Sequence, residues 1–170
     1  MAADIKGSER QGQEELPTGT MARPMEPRSR QMIRVLVVED SPTAREHIAA
    51  ILGMESDIEV VGQAADGAEG IRETMRLKPD VVTMDINMPN VDGHAATERI
   101  MAEAPTPIVV VSSVTREEMI HEGLDILRSG ALDIVQKPSA MTAQGYEEIR
   151  KELLSKVRAV SGINVAGNHG

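Results

Sequence analysis

From Ile33 onward the chain is built of repeating blocks. A short β-branched run is followed by turn residues, and then by a stretch whose apolar positions recur three and four apart. The first run, Ile33-Arg34-Val35-Leu36-Val37-Val38, stops at Glu39-Asp40-Ser41-Pro42. Ser41 can cap a helix there, with Pro42 at its first position, where a missing N–H costs nothing. In that helix Ala44, Ile48, Ile51 and Leu52 fall on one face. A second strand, Ile58 to about Ala64, precedes a helix over about Ala68 to Leu77 that carries Ile71 and Met75. The third strand, Val81-Val82-Thr83-Met84, ends at Asp85, and a Pro/Asn/Asp/Gly loop leads to a helix from about His94 to Ala104. Ile108 to Val111 forms a fourth strand ending at Ser112-Ser113, before a helix from Arg116 to Arg128. The fifth strand, Leu132 to Gln136, ends at Lys137-Pro138. The last helix shows Tyr146, Ile149, Leu153, Val157 and Val160 at helical spacing.

Five apolar strands alternating with five helices predict an α/β fold, a doubly wound five-stranded parallel sheet. Strands one, three and four read as continuous hydrophobic runs, as strands covered on both faces do. The strand order this leaves is 2-1-3-4-5, flavodoxin-like.

Residues 1–31 lack this texture. They are Gly, Pro, Gln, Glu and Arg with little apolar content, too little to offset the entropy of ordering, and predict a disordered extension. Met21, Met25 and Met32 are alternative starts. The ordered domain is expected over residues 32–160, with a flexible tail over 161–170.

Composition narrows the function. Net charge is −9, and residues 1–32 hold five acids and five bases, so all of it falls on the folded part. An acidic surface repels a phosphate backbone, and Tyr146 is the only aromatic, so direct nucleic-acid binding is excluded by charge and by the lack of stacking platforms. With no cysteine, disulfides and thiolate chemistry are excluded. No run approaches the roughly 20 apolar residues of a membrane span. The expectation is a soluble cytoplasmic protein without membrane insertion, and its methionines are expected mostly in the core in place of aromatics.

Ligands of an open parallel sheet bind beyond the carboxyl ends of its strands. Glu39, Asp40, Asp85, Ser112 and Lys137 all stand at such ends. Singly, each reads as well as a turn, a cap or a surface lysine. Together they place three carboxylates, a hydroxyl and an ammonium in one crevice, where the acids would repel each other without a cation. A hard divalent ion that keeps waters and accepts phosphate oxygens, Mg²⁺, fits such oxygen donors. Asp85 is then a candidate nucleophile toward phosphorus, Lys137 a second positive charge, and Ser112 a hydrogen-bond donor to the transferred group. There is no G-x-x-x-x-G-K-[ST] loop.

Four motifs carry a family resemblance: V-V-E-D-S at 37–41, D-I-N-M-P-N-V-D-G at 85–93, V-V-S-S at 110–113 and Q-K-P-S at 136–139. The chain from about Ile33 to Val160 resembles the receiver domains of two-component response regulators. By that resemblance Asp85 is the phosphoacceptor, a sensor histidine kinase or phosphotransfer protein is the donor, and a downstream protein is the target. Asp40 and Asp85 would ligate Mg²⁺, with a backbone carbonyl from Asn87 and Glu39 acting through water. A cis Lys137-Pro138 bond is implied as well. The stretches K-P-D-V-V-T-M-D, P-T-P-I-V-V-V-S-S-V-T-R-E and A-L-D-I-V-Q-K-P-S are similar to the receiver half of chemotaxis protein-glutamate methylesterases. The chain ends at Gly170, which leaves no length for their catalytic domain or for a helix-turn-helix domain. A stand-alone, non-enzymatic receiver is therefore expected. Its alternatives are a regulatory fragment of a methylesterase and a phosphorylation-independent binding module.

One position departs from the family pattern. Many receivers carry an aromatic three residues before the lysine, where this chain has Ile134. Transmission is therefore expected through the loop after Ser112 and the helix from Arg116, with output contacts on the last two helices and the fifth strand. Met119, Gly123 and Ile126 form a second stripe on that helix, readable as partner surface or as core. His47, His94, His121 and His169 lack ligand-like spacing and read as solvated.

Overall fold

In the computed structural model, the described residues are 32–88, 91–113, 116–138 and 142–165. The expected disordered extension, the tip of the loop after Asn87, residues 114–115 and His169 lie outside them. The chain alternates β1 (Ile33–Val38), α1 (Pro42–Gly53), β2 (Ile58–Ala64), α2 (Gly67–Leu77), β3 (Val81–Asp85), α3 (Gly93–Glu103), β4 (Ile108–Ser112), α4 (Arg116–Arg128), β5 (Asp133–Gln136) and α5 (Ala143–Val160). All four strand pairings are parallel, and the sheet order is β2-β1-β3-β4-β5, the predicted 2-1-3-4-5.

The alternation of side chains along each strand makes two cores. Val35, Val37, Val81, Val109, Val111 and Val135 face α1 and α5, where Ile48, Ile51, Leu52, Ile149, Leu153 and Val157 close over them. Leu36, Val38, Val82, Met84 and Val110 face the other way, under Ile71, Ala96, Ile100 and Ile126. The central strands β3 and β4 are buried along their whole length, as their largely apolar runs require, with Thr83, Asp85 and Ser112 the buried polar exceptions.

Side-chain caps set the helix starts. Ser41 Oγ accepts from the Ala44 N–H, with Pro42 at the head of α1. Asp66 accepts from Glu69 N–H while Glu69 reaches back to the N–H of Ala65, a reciprocal box that starts α2 at Gly67. Asp92 caps α3 and Thr142 caps α5 by accepting the N–H of Ala95 and Gly145, without a reciprocal bond. This capping starts α2 and α3 one residue earlier than apolar periodicity alone indicates, and β5 begins at Asp133 instead of Leu132.

One expectation is corrected. The Lys137-Pro138 bond is trans, since no described peptide bond is cis. Trans is the intrinsic preference of an X–Pro bond, and the lysine is already held by its N–H to Ser112 O at 2.7 Å. Of the methionines described, Met84, Met88 and Met101 are buried, whereas Met32, Met54 and Met75 are exposed. Beyond α5, Val165 is buried in the second of these cores, in the cluster of Leu36, Val38 and Ile126. Of the second stripe on α4, Ile126 is fully buried, while the surroundings of Met119 and Gly123 lie outside the described set. Among the described side chains of that helix, the exposed large apolar ones are Ile120, Leu124 and Leu127. No helix among the described residues is long and apolar enough to cross a membrane.

Candidate phosphoacceptor site

Glu39 and Asp40 leave the end of β1, and Asp85 closes β3, the adjacent strand. One carboxylate oxygen from each of the three lies within 4.8 Å of the others. Glu39 and Asp85 are buried, and Asp40 is the most open. Sheet register brings up the remaining groups. Val111 pairs with Asp85, which puts Ser112, fully buried, one step beyond it. Ser112 pairs in turn with Gln136, and its carbonyl accepts the N–H of Lys137.

Lys137 reaches back across the crevice. Its Nζ is 2.7 Å from Glu39 Oε1 and 4.0 Å from Asp85 Oδ1. Glu39 is held from three further directions. Its N–H donates to Ala64 O at 2.9 Å, the Ser41 N–H donates to its Oε2 at 3.2 Å, and Arg45 Nη1 donates to its carbonyl at 2.8 Å. Asn87 donates its N–H to Asp85 Oδ1 at 3.3 Å, which tethers the following loop to the central carboxyl. All the residues selected from sequence thus come to one end of the sheet. Arg45 and Gly93 were not selected. Arg45 is found only by placing it one helical turn beyond the Ser41 cap. Gly93 is required because a Cβ there would stand 2.3 Å from Asp85 O and 2.6 Å from Ile86 Cα. Its N–H donates to Ile86 O at 2.8 Å, so α3 begins against the end of β3.

The electrostatics are unbalanced. Burial first, and the charge of Glu39 second, push the Asp85 carboxyl up to about 8, against the opposing pull of Lys137; hydrogen bonds with Glu39 and Asp40 add to the rise. One ammonium does not neutralise three carboxyls. The donor set is all oxygen and clustered, and burial together with the charge of Glu39 raises the pKa of its central acid. That fits a hard divalent cation in contact with Asp85.

The sequence profile described as the response regulator receiver domain matches residues 35–147. The chain belongs to the response-regulator receiver family. A protein-glutamate methylesterase/protein-glutamine glutaminase of Syntrophus aciditrophicus is 42% identical over 134 residues, which are 79% of this chain and 38% of that protein. One from Anaeromyxobacter dehalogenans is 46% identical over 132 residues, again 38% of its length. The chain therefore spans less than two fifths of these curated relatives and matches their receiver region. Among solved structures, the response regulator domain of Thermotoga maritima CheB superposes with a TM-score of 0.73 at 40% identity, covering 79% of this chain and 99% of that one. The receiver domain of a Pseudomonas aeruginosa sensor histidine kinase, solved with a magnesium ion coordinated in its active site cleft, gives 0.63 at 26% identity, covering 78% and 99%. This is a two-component receiver related to the chemotaxis methylesterase receivers.

Proposed function

We propose that this receiver accepts a phosphoryl group on Asp85 from the phosphohistidine of a sensor kinase or phosphotransfer protein, in a Mg²⁺-dependent reaction, and signals by protein–protein contact. The observation that supports it most is the convergence of Glu39, Asp40, Asp85 and Lys137 within ion-pair and ligand distance, although they are drawn from three strands.

Asp40, Asp85 and the Asn87 carbonyl would hold the cation, with Glu39 acting through water. When bound, Mg²⁺ offsets the carboxylates and draws charge from the phosphoryl oxygens. Asp85 must shed the proton that its surroundings now retain. Its carboxylate oxygen then attacks phosphorus while the P–N bond to the donor imidazole breaks, and the electron pair leaves with the imidazole nitrogen. Lys137 Nζ, 4.0 Å from Asp85, exchanges Glu39 for a phosphoryl oxygen, and the Ser112 hydroxyl donates to another. Catalysis here is positioning and charge neutralisation, which a preassembled strand-end crevice supplies. On the output side, Ile120, Leu124 and Leu127 present an exposed apolar stripe on α4 at helical spacing, which suits a protein target better than an acidic or nucleic-acid one.

Incubation with a histidine-phosphorylated donor or acetyl phosphate tests this reading. Wild type with Mg²⁺ gains one phosphoryl group by intact mass, whereas chelator or Asp85→Asn prevents the gain. Labelling that survives Asp85→Asn overturns it.

A second reading, the regulatory part of a larger methylesterase, is favoured by the 38% coverage of the relatives. The reading frame beyond Gly170 decides between a stand-alone and a linked receiver, and the Asp85 chemistry is common to both.

A further inference from the structure

Strand β5 lies at the end of the sheet order and has a strand neighbour on one side only. Such an edge leaves alternate backbone groups without a ladder partner. At Ile134 both are taken by side chains. Its N–H donates to Asp133 Oδ1 at 2.8 Å, and its carbonyl accepts from Lys156 Nζ at 2.6 Å. Lys156 also stands 3.2 Å from Asp133 Oδ1 and 3.0 Å from Glu152 Oε2. The three groups close a ring around one residue of β5, three positions before Lys137, and tie it to the middle of α5.

An exposed ion pair would contribute little. This one differs because Lys156 is three-quarters buried and its shortest bond goes to backbone. Partial burial disfavours its charge, but bonds from Glu152 and Asp133 more than compensate and hold the ammonium above the ordinary lysine range. The anchor is therefore a permanent cation. Its helix is fixed in turn by Leu153, Leu154 and Val157, which are buried on either side of it in sequence. β5 has only four residues, and its far end carries the lysine that must meet the phosphoryl group.

We propose that Lys156 is a positioning residue for the phosphoacceptor site: with Asp133 it clamps the backbone of Ile134, fixing the short strand that delivers Lys137. The inference rests on the proposed role of Lys137 toward a phosphoryl group. The clamp also gives the β5–α5 corner a polar connection at the position where many receivers carry an aromatic.

The test is a double-mutant cycle read by beryllofluoride, a phosphoryl mimic, titrated with Mg²⁺ into wild type, Lys156→Met, Lys137→Met and the double variant, followed by amide NMR. Lys156→Met weakens beryllofluoride binding about tenfold, the size of a coupled contact pair, and leaves Mg²⁺ affinity unchanged. In the Lys137→Met background the same change has no further effect, whereas a merely structural lesion lowers affinity in both. Lys156→Arg, which keeps a cation in reach of the carbonyl, restores binding. Should Lys156→Met not fold, Asp133→Ala opens the clamp from its other side and weakens binding in the same Lys137-dependent way. Equal affinity of wild type and Lys156→Met overturns the inference, as does an equal loss in both backgrounds. A wild type that binds no beryllofluoride removes the phosphoacceptor reading itself.

Discussion

Lys137 and Glu39 stand 98 residues apart in sequence and form a 2.7 Å ion pair at the mouth of the crevice, with Glu39 almost wholly buried. Without a metal this pair is the site's main charge compensation, so ammonium and metal compete for the same carboxylates. Lys137→Ala leaves Glu39 buried without its cation. We expect a loss of about 2 kcal/mol in chelator, because an abandoned charged partner loses its strongest bond. Mg²⁺ restores most of it, at equal or lower concentration than wild type requires. Phosphorylation of Asp85 persists but no longer changes the amide environment of α4 and β5. Thermal melts with and without Mg²⁺, and NMR of the phosphorylated variant, check these outcomes.

Asp85 makes the metal-free fold pH-dependent. Folded, its carboxyl keeps its proton up to about 8; unfolded, it releases it near 3.8. Between those values the folded state binds more protons, so the contribution to stability is complete below the unfolded value and is lost as pH rises through the folded one. In chelator the melting temperature of wild type falls relative to that of Asp85→Asn from about pH 4 to about pH 8, by about 4 °C for each kcal/mol involved. Mg²⁺ binding within this window releases a proton, which calorimetry in buffers of different ionisation enthalpy detects.

Asp40 is the least buried of the three acids and offers the cation a ligand at the cost of repulsion. Asp40→Ala is therefore expected to stabilise the protein in chelator, by about 1 kcal/mol, and to weaken Mg²⁺ binding by at least tenfold. A lower melting temperature for this variant in chelator contradicts the repulsion argument.

Gly93 lets α3 start against the end of β3. A methyl at this position meets the Asp85 carbonyl, which is backbone and cannot rotate away. Gly93→Ala is expected to cost about 1–3 kcal/mol and to slow phosphorylation more than Ala95→Gly, a change on the same helix. Denaturant melts and single-turnover phosphotransfer measure the two effects.

Much of this was legible in the chain because the fold is written in short, well-separated signals. β1, β3 and β4 are buried on both faces, so Val35–Val38, Val81–Met84 and Ile108–Val111 are apolar but for Thr83. The site followed from the same logic, since a parallel sheet collects whatever its strands carry at their ends. The remainder depends on partners distant in sequence. The hold on Lys137, whose ammonium meets Glu39 and whose N–H meets Ser112 O, is one example, and apolar periodicity does not report it. Val165 follows the last helix two residues after the exposed Ile163, and only its packing in the cluster of Leu36 and Ile126 distinguishes the two. Lys156 looks like any solvated lysine until β5 is known to be an edge strand. Ile120, Leu124 and Leu127 have core-like spacing, and only the placement of α4 turns them outward.

The most direct measurement is chemical trapping of the phosphorylated residue. Protein treated with a phosphodonor and Mg²⁺ is reduced with borohydride and mapped by peptide mass spectrometry. The account predicts reduction at position 85 alone, dependent on Mg²⁺. Reduction at another acid, or none with Mg²⁺ and donor in excess, contradicts the central claim that these strand ends form one phosphoryl-accepting site.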